Sequence, residues 1–171
     1  MKLKPRQFVT LVDTVFGPAM GSFGFAPDGE ERQDDWYCCR RFRAGDRYVG
    51  ISASCHFRDG SPECRVVLGE GSNDWPDCDW NAIALWRLRG EGANYPFQAA
   101  SELDEVLARM RDELITYASD FLAGDTNRFI AARSAQNCDR EPYKMHSPQP
   151  DGSYQISIDA RSQALKNRFS K

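Results

Sequence analysis

Apolar side chains recur at three- and four-residue steps near the start of the chain. Between Pro5 and Phe23 these positions are Phe8, Leu11, Val12, Val15, Phe16 and Ala19. Because such steps place side chains along one side of an α-helix, the spacing predicts an amphipathic helix whose first turn contains Pro5. Gly17-Pro18 predicts a kink or a break in this helix, since proline lacks an N–H donor and clashes with the preceding turn.

Three stretches with strand-like patterns follow, at residues 36–42, 47–57 and 64–68. In the second stretch the odd-numbered positions from Val49 onward are apolar, whereas the even-numbered positions are mostly polar or small. Side chains of a strand point alternately to its two faces, so this stretch predicts a sheet with one apolar and one polar face. The short connections predict an antiparallel meander, and residues 81–89 predict a fourth strand at an edge.

The clearest helical pattern runs over residues 102–123. Its apolar face comprises Leu103, Val106, Leu107, Met110, Leu114, Tyr117, Ala118, Phe121 and Leu122. We expect this face to pack on the apolar face of the sheet, with Ser101 as the N-cap and Gly124 as the end of the helix. A shorter helix follows, for which Asp125 or Thr126 is the expected cap.

The periodic pattern weakens beyond Cys138, where prolines and polar residues predominate. Residues 154–158 predict a further strand and residues 160–169 a basic helix. The elements together predict an α+β fold, an antiparallel sheet of about four strands with an N-terminal helix and two C-terminal helices packed on one face. We expect residues 1–138 to form this domain and residues 139–171 to be an extension that packs on it or trails from it.

The composition is that of an ordinary folded domain, with 171 residues of which 41% are hydrophobic and 27% charged. No apolar run approaches the roughly 20 residues that cross a bilayer, and the basic N-terminus lacks the apolar run and cleavage site of a signal peptide. These features predict a cytoplasmic protein without membrane association. The six cysteines are therefore expected to be thiols, because disulfides are rare in the cytosol.

The net charge of −3 hides an asymmetry along the chain. Residues 1–127 carry 14 basic and 21 acidic side chains, a balance of −7, whereas residues 128–171 carry 8 basic and 4 acidic ones, a balance of +4. The acidic part disfavours nucleic-acid phosphates and favours a cationic partner. Two alternatives remain: the acidity serves only solubility, or the basic C-terminal part binds nucleic acid.

Short catalytic motifs are absent from the sequence: it has no Walker glycine loop, no G-x-G-x-x-G, no H-E-x-x-H and no G-x-S-x-G. The two histidines, His56 and His146, are far apart, and Cys64 and Cys78 follow no recurrent zinc spacing. We therefore expect no metal and no cofactor. Cys55 and His56 are neighbours, but strand alternation sends their side chains to opposite faces.

The most informative segment is the loop at residues 70–80. It combines four carboxylates and two tryptophans, namely Glu70, Asp74, Trp75, Asp77, Asp79 and Trp80. Exposed aromatic rings among charges are typical anchors of a binding surface, so these six residues are the predicted partner-binding site. The alternative is that both tryptophans fold back and cover one end of the sheet.

The order of these features resembles a bacterial family of domains of unknown function that is considered alongside the immunity proteins of toxin systems. The resemblance rests on the first helix, the Gly24-Phe25 corner, the acidic loop at residues 28–35, the meander that begins at Trp36, the Asp/Trp loop at residues 70–80, and the helix that ends in the segment 117–125. It covers residues 6–137 and implies an α+β fold without an established enzymatic activity. It carries no functional residues that can be transferred.

Two classes of function follow from the sequence. The first is a non-catalytic cytosolic protein-binding domain, either a general interaction domain or, more specifically, an immunity or antitoxin-like protein that neutralises a cationic toxin. The alternative is a small hydrolase-like enzyme with a pocket on the polar sheet face near His56. Its candidate catalytic side chains are Tyr48, Ser52, Ser54 and the cysteines.

Overall fold

The computed structural model describes residues 4–28, 37–55, 62–90 and 92–169. Its helices are α1 (Pro5–Ser22), α2 (Asp77–Asn81), α3 (Trp86–Arg89), α4 (Leu103–Ala123), α5 (Asn127–Asn137) and α6 (Ala160–Phe169), with a 3-10 turn at Ala100–Glu102. Its strands are β1 (Ala26–Pro27), β2 (Tyr37–Ala44), β3 (Arg47–Ser54), β4 (Glu63–Glu70), β5 (Ala82–Ala84), β6 (Tyr95–Pro96), β7 (Lys144–Pro148) and β8 (Tyr154–Ile158).

In the part of the chain that the structure describes, six strands form one antiparallel sheet, which confirms the predicted α+β class. Strands β1 to β5 lie in sequence order, and β6 pairs with β4 beside β5. The central pairs are long, because β2, β3 and β4 each contribute eight residues to the ladder. The meander was predicted from alternation, whereas the short strands β1 and β6 have only two residues each and leave too little pattern to be detected.

The core lies between one face of this sheet and the two long helices. Val49, Ile51 and Ala53 of β3 are completely buried together with Leu107 and Leu114 of α4. Helix α1 joins the same core through four buried side chains, Phe8, Val12, Phe16 and Met20. The predicted packing of the apolar face of α4 on the apolar face of the sheet is therefore confirmed.

Arginines of the sheet bind the helices that cover it. Arg40, on the covered face of β2, donates to both carboxylate oxygens of Asp13 in α1 at 2.7 and 3.0 Å. The guanidinium of Arg47 donates to the carbonyl oxygens of Phe121 and Leu122 in the last turn of α4. A cation at this end of a helix is favourable, because the unpaired carbonyls there carry partial negative charge.

Residues 81–89 do not form the predicted edge strand. Only Ala82–Ala84 pair with β4, and the chain then turns into α3, which Gly90 ends with a left-handed φ of 87°. The apolar positions of this segment fit a short strand followed by one helical turn equally well. Three-dimensional pairing with β4 decides where the strand stops.

Two predictions near the helix ends differ from the structure. Of the kink or break predicted at Gly17-Pro18, the break does not occur, because α1 continues through Pro18 with Phe16 and Met20 on either side of it held in the core. Ser101 does not cap α4, since a 3-10 turn at Ala100–Glu102 leads into it. Gly124 does end α4, and Asp125 accepts a hydrogen bond from the backbone N–H of Asn127 at 3.0 Å.

The C-terminal segment contains the predicted strand and helix as β8 and α6. The sequence did not predict β7, which pairs with β8 in a separate hairpin. Ser162 and Leu165 of α6 are buried. None of the helices in the described ranges combines the length and the apolar character that crossing a bilayer requires.

Several predicted features lie outside the described residues. These are Trp36 at the start of the meander, most of the acidic loop at residues 28–35, and His56 with the end of the second predicted strand. The six cysteines are all described, and all are thiols rather than disulfide halves, as expected.

Candidate functional site

An open groove of about 830 Å³ lies over the sheet face that α1 and α4 leave uncovered. Its floor consists of small side chains on the three central strands and on β5. They are Cys39, Gly50, Ser52, Val67 and Ala82. Because Gly50 has no side chain, and a Cβ built there would meet only the sulfur of Cys39 at 3.8 Å, the floor is a shallow trough.

Tyr48 closes one end of the floor. Its ring packs flat against Gly69 of the neighbouring strand, and its hydroxyl is buried without a hydrogen-bond partner in the described part of the chain. The guanidinium of Arg43 lies over the ring, 5.2 Å from its centroid. Burial raises the pKa of Tyr48 far above its ordinary value, so the hydroxyl stays protonated at neutral pH.

One wall of the groove is the loop between β4 and β5, and hydrogen bonds fix its shape. Arg43 donates to the carbonyl of Gly71 at 3.2 Å and to the side chain of Asn73 at 3.0 Å. At the other end of the loop, Asn137 of α5 donates to the carbonyl of Trp80 at 2.8 Å. The predicted partner-binding loop is therefore held in one conformation from both sides.

The two tryptophans of this loop have different environments. Trp75 is 58% exposed, lines the groove, and has its ring 5.4 Å from that of Tyr143. Trp80 is fully buried, stacks on Phe169 of α6, and lies under the guanidinium of Arg140. Only Trp75 of the two has an exposed ring. Trp80 is buried, as the alternative interpretation expected for both, but the ring contacts shown for it are with Phe169 and Arg140 and not with an end of the sheet.

Three of the four predicted carboxylates are bound by side chains from the C-terminal third of the chain. Glu70 pairs with Arg133 at 3.3 Å, Asp77 with Arg161 at 2.5 Å, and Asp79 accepts a hydrogen bond from the hydroxyl of Tyr143 at 2.6 Å. Asp74 is exposed and its carboxylate accepts a hydrogen bond from Ser72 at 3.2 Å. Only Asp74 and Asp79 of the four line the groove.

These contacts change the electrostatics of the site. Hydrogen bonds from Arg161 lower the pKa of Asp77 against the opposing effect of burial. Burial raises the pKa of Tyr143, and the bonded carboxylate of Asp79 raises it further, to about 12. The negative charge near the groove is therefore concentrated on Asp74 and Asp79, beside the exposed ring of Trp75.

The thiol of Cys78, which lines the groove, is not activated for nucleophilic attack. Burial, with the nearby charge of Asp79, raises the pKa of Cys78 to about 11. Burial also raises the pKa of Cys55 and of Cys64, which belongs to the core on the other face of the sheet. Since the thiolate is the reactive form, these cysteines are mostly inert at neutral pH.

The other candidate catalytic residues do not lie together in one site. Tyr48 and Ser52 line the groove, whereas Ser54 of the same strand face does not, and His146 is on the exposed strand β7. Within residues 4–28, 37–55, 62–90 and 92–169, no three histidine, cysteine or carboxylate side chains are grouped closely enough to hold a metal ion.

A comparison of the chain with protein-family models, curated proteins and solved structures finds no match. The site must therefore be interpreted from its own residues. Sequence reasoning missed Arg43, Asn73 and Tyr143, which shape the wall of the groove. No local signal could have found Tyr143, because its contacts with Trp75 and Asp79 depend on the C-terminal segment folding back across the loop.

Proposed function

We propose that this chain is a non-catalytic protein-binding domain whose groove receives an extended segment of a partner. The observation that carries the proposal is the groove itself, with a floor of small side chains beneath a fixed wall and an exposed tryptophan at its rim. A floor without large side chains lets a peptide backbone approach β3 closely. Concave sites of this kind, with a few convergent polar groups, are the usual form of ligand sites.

The chemistry at the rim favours a cationic side chain on the partner. The ring of Trp75 can lie against an arginine or lysine, and the exposed carboxylates of Asp74 and Asp79 can then bind its charge. Arg41 also lines the groove, but it donates to Asp28 at 2.9 Å and is not an isolated positive charge. A basic segment is therefore preferred over an acidic one.

The proposed partner class is a cationic protein in the cytosol. An immunity or antitoxin-like protein would hold a basic segment of a toxin in this way and keep that segment from its target. This finer proposal rests on the acidic N-terminal three quarters of the sequence and on the family resemblance. The groove supports the binding of a basic segment, whatever protein carries it.

Substitution of Gly50 gives the sharpest test, because it fills the groove from its floor. A Cβ there meets only ordinary contact distances, and φ at Gly50 is not left-handed, so Gly50→Val should fold normally. Ser54→Val is the matched control, since it adds a similar side chain to the same face of β3 outside the groove. Fluorescence anisotropy would measure binding of short labelled peptides that differ only in a central Arg, Ala or Glu.

We expect the Arg peptides to bind best, Gly50→Val to weaken their binding at least about tenfold, and Ser54→Val to leave it unchanged. Equal binding of the Arg and Glu peptides would contradict the cationic preference. Equal binding by the two valine variants would remove the groove from consideration. Turnover of peptides or esters by the wild-type protein that is lost in Ser52→Ala would overturn the non-catalytic assignment.

A further inference from the structure

The hairpin of β7 and β8 carries a row of exposed apolar side chains. Lys144 lies opposite Ile158, His146 opposite Ile156, and Pro148 opposite Tyr154, so all six side chains share one face. On β8 the exposed fractions are 64% for Tyr154, 60% for Ile156 and 56% for Ile158. Large apolar side chains that stay this exposed and adjacent mark an interaction surface.

Hydrogen bonding within the hairpin determines which backbone groups of β8 face outward. The N–H of Asp159 donates to the carbonyl of Tyr143, and the N–H of Gln149 donates to the carbonyl of Ser153, at 2.9 and 2.8 Å. Antiparallel strands alternate between hydrogen-bonded and non-bonded pairs. The N–H and C=O groups of Tyr154, Ile156 and Ile158 therefore point away from β7, and no strand pairs with them in the part of the chain that the structure describes.

The two edges of the hairpin differ in how they resist pairing. The same alternation directs the backbone of Lys144, His146 and Pro148 to the outer edge of β7. A lysine and a proline are typical devices that block an edge, and proline has no N–H to offer. The edge of β8 has neither, and none of its five residues is charged. Pairing is therefore favoured at the β8 edge over the β7 edge.

We propose that β8 pairs with β8 of a second copy of this chain, antiparallel and with Ile156 opposite Ile156. In this register each Tyr154 lies opposite an Ile158, so three outward-facing residues of each strand meet three of the other and six N–H···O bonds form. A shift by two residues leaves fewer pairs. A shift by one residue places the outward-facing N–H and C=O groups of one copy opposite residues of the other copy whose groups point toward their own β7. Among the registers of identical antiparallel strands, this one satisfies the most backbone groups.

The charges around the strand fit a second copy. The register brings Asp159 of each copy beside Ser153 of the other, so no like charges face each other across the pair. On the apolar face, Tyr154, Ile156 and Ile158 of both copies become one continuous row, with the Lys144 side chains at its two ends. A five-residue strand buries less than the roughly 800 Å² per partner of a standard interface. The dimer should therefore be weak, and the fraction of dimer should change with protein concentration.

A pair of proline substitutions on the full chain tests the edge that is used. Ile156→Pro removes an N–H that points outward from β8 and is not used by the hairpin, whereas His146→Pro removes the outward N–H of the opposite residue on β7. Sedimentation velocity over a range of concentrations would measure dimerisation, and far-UV circular dichroism would confirm that each variant is folded. We expect a wild-type dimer, a tenfold or greater weakening in Ile156→Pro, and no change in His146→Pro.

A cross-linking variant tests the register without relying on loss of the dimer. Paired residues on hydrogen-bonded antiparallel strands have Cα atoms about 5.5 Å apart, with Cβ atoms too widely spaced for an unstrained disulfide but within reach of a short bismaleimide cross-linker. Ile156→Cys should thus give a covalent dimer with such a cross-linker, above the level that the six native cysteines give in the wild-type protein. A monomeric wild-type protein, a dimer that survives Ile156→Pro, a dimer lost in His146→Pro, or no excess cross-link would each overturn the proposal.

Discussion

The guanidinium of Arg161 holds both carboxylate oxygens of Asp77, 84 residues earlier in the chain, at 2.7 and 2.5 Å. Asp77 is the first residue of α2, in the loop between β4 and β5, and its side chain is only 11% exposed. Arg161 lies in the first turn of α6. The acidic loop is thus tied to the C-terminal helix, and one of its carboxylates is used inside the molecule instead of toward a partner.

Acid should release this contact before the core unfolds. Hydrogen bonds from Arg161 lower the folded-state pKa of Asp77 below its ordinary 3.8. The stability that the pair contributes is therefore complete above about pH 4 and is lost as the pH falls through the lower folded-state value. Since Phe169 of α6 stacks on buried Trp80, loosening of α6 should shift tryptophan emission to the red.

Two variants in which an amide replaces a carboxylate, Asp77→Asn and Asp28→Asn, check this acid-dependent step. Asp77→Asn should show the red shift already at neutral pH and lack the acid-dependent step, because its side chain cannot titrate. Asp28→Asn removes a carboxylate whose pKa is also lowered, by Arg43 and Arg41, but which does not contact α6. If the acid-dependent step is lost in Asp28→Asn and retained in Asp77→Asn, its assignment to the Asp77–Arg161 pair is wrong.

The two tryptophans of the loop should separate binding from stability. Trp75→Ala should change the free energy of unfolding by no more than about 0.5 kcal/mol, because the ring is largely exposed. It should weaken binding of a basic peptide by at least about 2 kcal/mol. Trp80→Ala should instead lower stability by roughly 3 to 5 kcal/mol, since it empties a buried site. Denaturant titration and anisotropy on the same samples measure both effects.

The face of α4 that packs on the sheet should provide most of what this helix contributes to the free energy of unfolding. Leu107→Ala and Leu114→Ala should each cost about 2 to 5 kcal/mol, because both side chains are completely buried in the core. Ile115→Ala, one residue further along the helix, removes a side chain that is 36% exposed and should cost much less. Equal shifts of the urea midpoint in Leu114→Ala and Ile115→Ala would show that this assignment of the core face is wrong.

Two strand glycines should respond in opposite ways to alanine. A Cβ at Gly69 would overlap the ring of Tyr48, which is buried in its present position, so Gly69→Ala should destabilise the protein by roughly 1 to 3 kcal/mol. Gly50→Ala meets no such contact and should be neutral or stabilising, since glycine is unfavourable inside a strand. Thermal melting of the two variants gives the sign of each effect, and destabilisation of the same size in both would contradict this account of the floor.

Local patterns predicted the long elements well. Helix α4, the central strands β2 to β4 and helix α6 each have a period that a single kind of secondary structure explains, and the structure places them close to the predicted bounds. The patterns failed where tertiary contacts decide between two local solutions. Residues 86–89 turn into a helix after a three-residue strand, and α1 continues through Pro18 because core side chains hold both of its flanks.

The sequence predicted only part of the candidate site. The sequence determined that one loop concentrates carboxylates and tryptophans, because composition is local, and that the sheet has a polar face, because alternation is local. Which tryptophan is exposed, and which carboxylates are already bound, depends on Arg133, Tyr143, Arg161 and Phe169 returning to the loop from far along the chain. Contacts across such separations leave no periodic signal, so only the tertiary structure decided that the candidate site is a groove beside Trp75 and not the whole acidic loop.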